Sequence, residues 1–398
     1  MRKAVCKLMS LLLLLPLAFT VALSGCSASS HANPGGEEDM TISAGRNAAS
    51  MQIADLKSGI RAEEKEKYDF TDLAMEYLEY IGEGVEKEDL ADWICDELIK
   101  AGYRKDQITM QEFTYTDDAD EKQTGRNIIL KVEGEDSSRQ IVAGAHYDGD
   151  GVGDNGSGTA LLLANAVGLA GIKPHYSLEY VFFDAEEEGL FGSNAYAWSM
   201  TEEEVNETFF MINLDALSFG DYCNIYGGDA SKIASNDPSG GMTEAYDFAA
   251  DTAEKLGFRV MRTEDLDGYF KEHGTGPEIE ADTLYTNPWT DENPSPVNYC
   301  VPSPTTLLAS DYVGFMSRGI EYIYFEATNW FAGDENDDPY GISYIGYYET
   351  YDDSIGDHGM FMNTQYDTWE NLNKFFPGRA EEHFEIFSPL LSALLLAE

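Results

Sequence analysis

The sequence predicts an α/β protein whose central sheet is mostly parallel and covered by helices on both faces. From about residue 126, apolar runs of strand length alternate with helical segments, an order typical of parallel sheets. The runs are nearly continuous in apolar residues, as are strands buried on both faces. Hydrophobic residues make up 43% of the chain and aromatic residues 12%, so a globular core is expected.

The individual elements follow from periodicity and length. Residues 69–102 have helical spacing and end at Gly102, a residue type favoured just after a helix. Residues 158–171 are apolar almost all round, as in a helix packed on a sheet. Residues 263–310 are rich in Pro, Asn, Asp and Thr, which predicts a loop insertion over one face of the sheet. Further helices are predicted at 189–200, 243–257 and 380–398, the last interrupted or kinked near Pro389, and strands at 126–134, 140–146, 177–185, 209–216 and 320–327.

The N-terminus is typical of an export signal. Basic residues precede an apolar run at 11–23 that is too short for a comfortable membrane span. The run leads into Leu-Ser-Gly-Cys at 23–26, which resembles the lipobox where bacterial lipoproteins are cut and acylated on the cysteine. We therefore expect lipidation of Cys26 and an exported protein anchored to a bacterial membrane, on the cell surface or the periplasmic side. The predicted organisation is a signal peptide at 1–25, a flexible tether at 26–60 and one domain at 61–398.

The chain is strongly acidic. It has 73 acidic and 25 basic residues, a net charge of −48. This indicates a soluble, self-repelling surface and excludes nucleic-acid binding through a basic face. Cys95, Cys223 and Cys300 are the cysteines outside the signal and the lipobox, and their spacing predicts neither a disulfide framework nor a structural zinc site.

Polar side chains stand where three predicted strands end. His146 ends one strand, Glu186 and Glu187 follow the next, and Asp215 ends the third. Ligands of open α/β sheets bind at the carboxyl ends of the strands. We therefore expect these residues to meet at one edge of the sheet.

The acidic loop after His146 allows two other interpretations. An EF-hand calcium loop that starts at Asp148 fails at two ligand positions, where Val152 and Thr159 stand. A simple helix cap from Asp154 or Ser157 leaves the histidine and the glutamate pair unexplained.

Four motifs together resemble those of the co-catalytic zinc aminopeptidases, a family of secreted bacterial leucyl aminopeptidases with glutamate carboxypeptidase and glutaminyl cyclase as relatives. The motifs are His146-Tyr147-Asp148, Asp154-Asn155-Gly156-Ser157-Gly158, "AEEEGLFGS" at 185–193 and "INLDA" at 212–216. The similarity extends in order over about residues 70–390. A further segment at 310–323 is similar to one in which the family often has a histidine in place of Tyr312. The resemblance implies the zinc-exopeptidase type of α/β fold, a phosphorylase/hydrolase-like architecture.

The resemblance also implies two zinc ions bridged by Asp154 and a water molecule. His146 and Asp215 would hold one ion, and Glu187 the other. A single ion or another divalent metal is the alternative.

The family's last ligand is a histidine, and this chain departs from the pattern there. The corresponding segment reads Asn363-Thr364-Gln365-Tyr366-Asp367-Thr368. Either Asn363 completes the second metal site through its amide oxygen, or His358 replaces it from the same segment.

The resemblance assigns catalysis to Glu186 as general base, with Asp148 orienting His146. The expected activity is that of an exported metallo-aminopeptidase acting on peptides. A carboxypeptidase or glutaminyl cyclase on the same scaffold is one alternative, and a catalytically inactive surface binding protein is another. The sequence predicts no oligomeric state.

Overall fold

The computed structural model describes residues 47–117, 119–228, 244–261, 283–286, 310–328, 349–350, 352 and 354–398. The predicted signal peptide and the lipidation site at Cys26 lie outside these residues. So does most of the predicted insertion at 263–310, although a short strand at Thr283–Thr286 falls inside it.

The elements alternate as expected of an α/β fold. The described helices are α1 (Thr71–Gly82), α2 (Lys87–Ala101), α3 (Gly156–Gly168), α4 (Phe191–Ser199), α5 (Glu202–Glu207), α6 (Glu244–Lys255), α7 (Tyr312–Ser317), α8 (Trp369–Phe375) and α9 (Arg379–Leu395). The described strands are β1 (Ile108–Thr116), β2 (Lys122–Val132), β3 (Asp136–His146), β4 (Tyr176–Phe183), β5 (Thr208–Leu214), β6 (Tyr222–Gly228), β7 (Arg259–Met261), β8 (Thr283–Thr286) and β9 (Glu321–Thr328).

The strands form one sheet in the order β1-β2-β4-β3-β5-β9-β6-β8-β7. Its centre is parallel, because β3 runs parallel to β4 and β5, and β5 runs parallel to β9. Antiparallel pairing occurs between β1 and β2, between β2 and β4, and between β6 and β9. The predicted fold class, a mostly parallel central sheet, is confirmed.

Two apolar layers cover the sheet, one on each face. Successive side chains of a strand point to opposite faces, and on β3 Ile141 and Ala143 belong to one buried cluster while Val142 belongs to the other. The first cluster joins the sheet to α1, α2, α3, α6 and α9. The second joins it to α4 and α7, through Tyr196 and Phe315. In the central strands, double coverage leaves the strand ends as the accessible part.

The first described residues are packed, which corrects the predicted tether. Ala49 and Ile53 are fully buried, and the Asn47 side chain donates to the carbonyls of Val205 (2.8 Å) and Thr208 (2.9 Å). The prediction of a flexible tether through residue 60 is therefore wrong for residues 47–60, because Ala49, Ile53, Leu56 and Ile60 are buried against the domain.

The last helix runs through its proline. Pro389 lies inside α9, which continues to Leu395, so the helix is not interrupted there. None of the described helices is long and apolar enough to cross a bilayer.

Candidate metal centre

Three parallel strands bring the predicted site residues to one edge of the sheet. His146 is the last residue of β3, Asp215 directly follows β5, and Glu186 and Glu187 lie just after β4. The backbone of Ala185, immediately before the glutamates, is left-handed with a φ of 57°. Such sparsely populated conformations concentrate at functional sites, and here the turn redirects the chain at the strand end.

His146, Asp154 and Asp215 form a buried cluster. The Nε2 atom of His146 lies 3.2 Å from Asp154 Oδ1 and 3.4 Å from Asp215 Oδ1. The three side chains offer ligand atoms within 4.8 Å of one another, as a shared metal ion requires. A second such group consists of His146, Glu186 and Glu187.

Asp148 connects the histidine to the glutamate pair. Its Oδ1 atom lies 3.4 Å from Nδ1 of His146, the ring nitrogen that faces away from Asp154. Its two oxygens also accept the backbone N–H groups of Glu186 (3.1 Å) and Glu187 (3.3 Å). Asp148 therefore lies where the resemblance places an orienting carboxylate, and it holds the backbone of the glutamate pair as well.

Helix α3, which follows the loop after His146, is capped by Asn155 and not by Asp154 or Ser157. The side chain of Asn155 accepts the N–H of Gly158 (2.8 Å) at the start of α3 and donates to the carbonyl of Leu214 (2.8 Å). Ser157 donates instead to the carbonyl of Gly153. Since Asn155 caps the helix, the carboxylate of Asp154 is left to face the cluster.

The structure brings Asn363 to the site. Its Nδ2 atom donates to Oδ2 of Asp154 at 3.3 Å, so the register read from the sequence places this residue beside the expected metal bridge. His358 is exposed, and His146 is the sole histidine in the metal-ligating groups found among the described residues.

Burial and mutual repulsion alter the acid–base properties of the cluster. Burial raises the pKa of Glu186 well above its usual value, and the charge of Asp215 adds to the rise, against the opposing effect of His146. Partial burial raises the pKa of Glu187 to about 8, and the charge of Asp154 adds to this rise. Burial alone would lower the pKa of His146, but Glu186 and Asp215 outweigh it and raise that pKa.

These shifts fit a site built for a cation. Several carboxylates share a buried space, and within the described part of the chain no lysine or arginine forms an ion pair with Asp154, Glu186, Glu187 or Asp215. Buried charges of one sign are costly unless a counter-charge or a proton relieves them. A divalent ion bound by an imidazole and carboxylates supplies that charge, so these residues fit a metal.

Sequence analysis missed two acids of the site. Asp311 precedes α7 and is fully buried; its pKa is raised to about 7 by burial, against the opposing effects of His146 and Ser193. The neighbouring Ser310 hydroxyl donates to Asp215 Oδ2 (2.7 Å). Tyr312, which stands where the family often has a histidine, stacks on Tyr322 in the core, with ring centroids 4.2 Å apart. The resemblance of the 310–323 segment was the signal that could have led to Ser310 and Asp311.

The second missed acid is Asp367, which is buried in the C-terminal loop. Its two oxygens accept the backbone N–H groups of Gly153 (2.6 Å) and Asp154 (2.9 Å). Gly151 and Gly153 have no room for a side chain, because a Cβ atom at Gly151 would overlap Asp367 and the Asp154 carbonyl, and one at Gly153 would overlap the Phe219 ring. Asp367 therefore joins the segment of Asn363 to the loop that presents Asp154.

Comparison with known proteins bears on the segment that holds most of this site. Residues 127–259 match peptidase family M28. Leucine aminopeptidase 2 of Trichophyton rubrum is 32% identical over 133 residues, which is 32% of this chain and 27% of the relative. The chain thus matches about a quarter of the length of that curated relative.

Two solved structures share the fold. A Zn-dependent exopeptidase from Parabacteroides distasonis ATCC 8503 is 17% identical, with 82% of this chain and 98% of that chain covered and a TM-score of 0.50. A glutaminyl cyclase from an Acidobacteriales bacterium is 15% identical, with 92% and 99% covered and a TM-score of 0.51.

The family match includes His146, Asp148, Asp154, Glu186, Glu187 and Asp215, which the structure brings together. The match to peptidase family M28 over residues 127–259 confirms the family resemblance drawn from the motifs.

Proposed function

We propose that this protein is a metal-dependent aminopeptidase that removes N-terminal residues from peptides. One observation carries the proposal. Within the segment that matches an M28 peptidase, the buried cluster of His146, Asp154 and Asp215 lies next to the glutamate pair. A metal-ligating cluster beside an acid with a raised pKa is the arrangement that hydrolysis by an activated water requires.

In this proposal His146, Asp154 and Asp215 would hold a zinc ion, and Asp154 and Glu187 would help to hold a second cation. Such a cation would supply acidification of a water molecule and polarisation of the scissile carbonyl. Glu186 would accept a proton from the attacking water at its carboxylate and would donate it to the leaving amine. Its carboxyl lies within 4.8 Å of ligand atoms of both His146 and Glu187, and Asp148 fixes its backbone.

The test is a peptide assay read by mass spectrometry. The zinc-loaded full chain is incubated with a mixed peptide panel, with and without a chelator. We expect a ladder of products shortened from the N-terminus, abolished by the chelator. A panel left intact with several metals would overturn the proposal in favour of a binding protein. Shortening from the C-terminus would indicate a carboxypeptidase, and loss of ammonia from N-terminal glutamine a glutaminyl cyclase.

We further propose that the protein is exported and anchored through a lipid on Cys26. The lipobox-like residues 23–26 and the basic, apolar N-terminus support this. The check is to express the full chain in a bacterium and locate it by membrane fractionation. Cys26→Ser should move the protein from the membrane to the soluble exported fraction. If wild type and Cys26→Ser fractionate alike, the lipid anchor is ruled out.

A further inference from the structure

Asp154 presents its two carboxylate oxygens to two different surroundings. Oδ1 lies 3.2 Å from Nε2 of His146, and Oδ2 accepts a hydrogen bond from the amide of Asn363 at 3.3 Å. We call the side formed by His146, Asp154 and Asp215 the inner position. We infer an outer position on the other side, where the Asn363 amide contacts Asp154 and where Glu187, whose charge interacts with that of Asp154, supplies a further carboxylate.

The two positions offer different donor atoms. The inner position combines an imidazole nitrogen with carboxylate oxygens, a set that zinc accepts readily. The outer position offers carboxylate and amide oxygens, because asparagine replaces the imidazole there. Carboxylate, carbonyl and water oxygens suit Mg²⁺, Ca²⁺ and Mn²⁺, whereas zinc gains most from nitrogen and sulfur ligands.

The two positions also differ in their access to water. His146, Asp154 and Asp215 are 1%, 8% and 7% exposed, whereas Glu187 and Asn363 are exposed. Hard divalent cations such as Mg²⁺ keep several water ligands when they bind to proteins. The open outer position leaves room for these waters.

The backbone at Asn363 suits the role of ligand. Its φ of 56° lies in the left-handed region, which asparagine, aspartate and histidine adopt more readily than other residues with side chains. The Thr364 hydroxyl donates to the Phe361 carbonyl (2.6 Å) and closes the turn around it. The two ends of the amide have nearly the same shape, so a flip presents Oδ1 in place of Nδ2.

We propose that the two metal positions are chemically distinct: the inner position binds zinc, and the outer position binds a hard divalent cation of the Mn²⁺, Mg²⁺ or Ca²⁺ class through Oδ1 of Asn363. The inference rests on the metal centre of the proposed function and adds the selectivity of its second position. Asn363 then acts as a metal ligand that favours hard divalent cations over zinc.

The test measures metal binding without any substrate. The metal-free full chain is first titrated with Zn²⁺. The protein that carries one zinc ion is then titrated with Mn²⁺. Calorimetry monitors both titrations, and electron paramagnetic resonance measures the free Mn²⁺. We expect one tight zinc ion, and then one Mn²⁺ that a second zinc displaces poorly.

Substitutions at Asn363 make the assignment specific. Asn363→His should strengthen binding of the second zinc by on the order of 10- to 100-fold, since even an outer partner of a metal ligand contributes that much. Asn363→Asp should strengthen Mn²⁺ binding, because it adds a charge while keeping a residue type that tolerates the left-handed backbone. His358→Asn is the matched control from the same exposed loop, and it should change neither affinity.

The proposal is overturned if wild type binds two zinc ions with equal affinity, if one-zinc protein binds no Mn²⁺, or if His358→Asn abolishes the second site. A peptide assay on the same samples separates the two proposals. The expected metal pattern in an inactive protein would overturn the aminopeptidase function and leave the distinct positions standing. An active protein that binds two zinc ions with equal affinity would support the aminopeptidase function and overturn the distinct metal positions.

Discussion

Glu186 lies beside the cluster, and burial raises the pKa of its carboxyl. Glutamine has the same shape but cannot carry a proton between water and the leaving amine. We expect Glu186→Gln to lower kcat by about 10²- to 10⁴-fold, the usual contribution of a positioned acid–base group. Metal content, measured on the same samples, should stay the same.

The control for this change is Glu188→Gln, in an exposed residue two positions further along the chain. Its kcat should match wild type. Activity of Glu186→Gln within a few-fold of wild type would show that another group serves as the base.

At this scale the sequence predicts those residues that directly follow an apolar strand. His146, Glu186, Glu187 and Asp215 stand out because strand ends are visible in the hydrophobic pattern. Asp311 could not be chosen in the same way among 73 acidic residues, since its full burial arises only when the domain packs.

Among the structural elements, the loop of Asp367 holds two parts of the site together. Asp367→Asn would turn an NH₂ group toward one of two backbone N–H groups that now donate to a carboxylate. A buried donor without an acceptor costs about 1–3 kcal/mol. We expect a lower free energy of unfolding and weaker zinc binding, measured by chemical denaturation and calorimetry.

Asp357→Asn, in an exposed residue of the same segment, serves as the matched control and should leave both quantities unchanged. If Asp367→Asn binds zinc as tightly as wild type, the clamp has no part in shaping the metal site.

Helix α9 carries a buried histidine that couples stability to pH. Burial, and then the charge of Arg379, lowers the pKa of His383 to about 3, and its Nδ1 lies 2.8 Å from the carbonyl of Leu217. In the unfolded chain a histidine titrates near 6.5. Between these values the unfolded state binds a proton that the folded state does not. The free energy of unfolding should therefore fall as the pH falls below 6.5, by at most about 1.4 kcal/mol per pH unit from this group.

The measurement compares wild type with His383→Asn, both with chelator so that metal release does not contribute. The variant should be less stable near neutral pH and lose less of its stability between pH 6.5 and 4. His175→Asn, in a half-buried residue, gives the reference pH profile. If the free energy of unfolding depends on pH in the same way in wild type and in His383→Asn, His383 does not couple stability to pH.

Element by element, the sequence predicts the central strands well and misses β1 and β6 further out in the sheet. Strands β3, β4, β5 and β9 are apolar on both faces and therefore conspicuous. In β1, exposed and half-buried residues alternate, and in β6 the sequence YCNIYGG mixes polar residues and glycines among buried positions. Their strand character depends on pairing with β2 and β9, which local sequence does not reveal.

The net charge of −48 belongs to the whole molecule. Self-repulsion of this size destabilises a compact state, and added salt screens it. We expect the Tm to rise as NaCl increases from about 10 to 200 mM, a range over which the Debye length shortens from about 30 Å to below 8 Å.

Chelator is kept in all samples, so that contaminating divalent ions cannot produce the effect. Sucrose at matched osmolality separates screening from solute exclusion. A Tm that is constant across the NaCl series would mean that the acidic residues are spaced widely enough for repulsion to be minor.

The bonds between the C-terminal loop and the Asp154 loop also bear on the order of assembly. Asn363 and Asp367 contact Asp154 and Gly153, which lie 209 to 214 positions before them in the sequence. Contacts so distant in sequence form late, because a long intervening segment must be ordered first. A nascent chain still on the ribosome would thus hold its cluster unclamped until residue 367 had emerged.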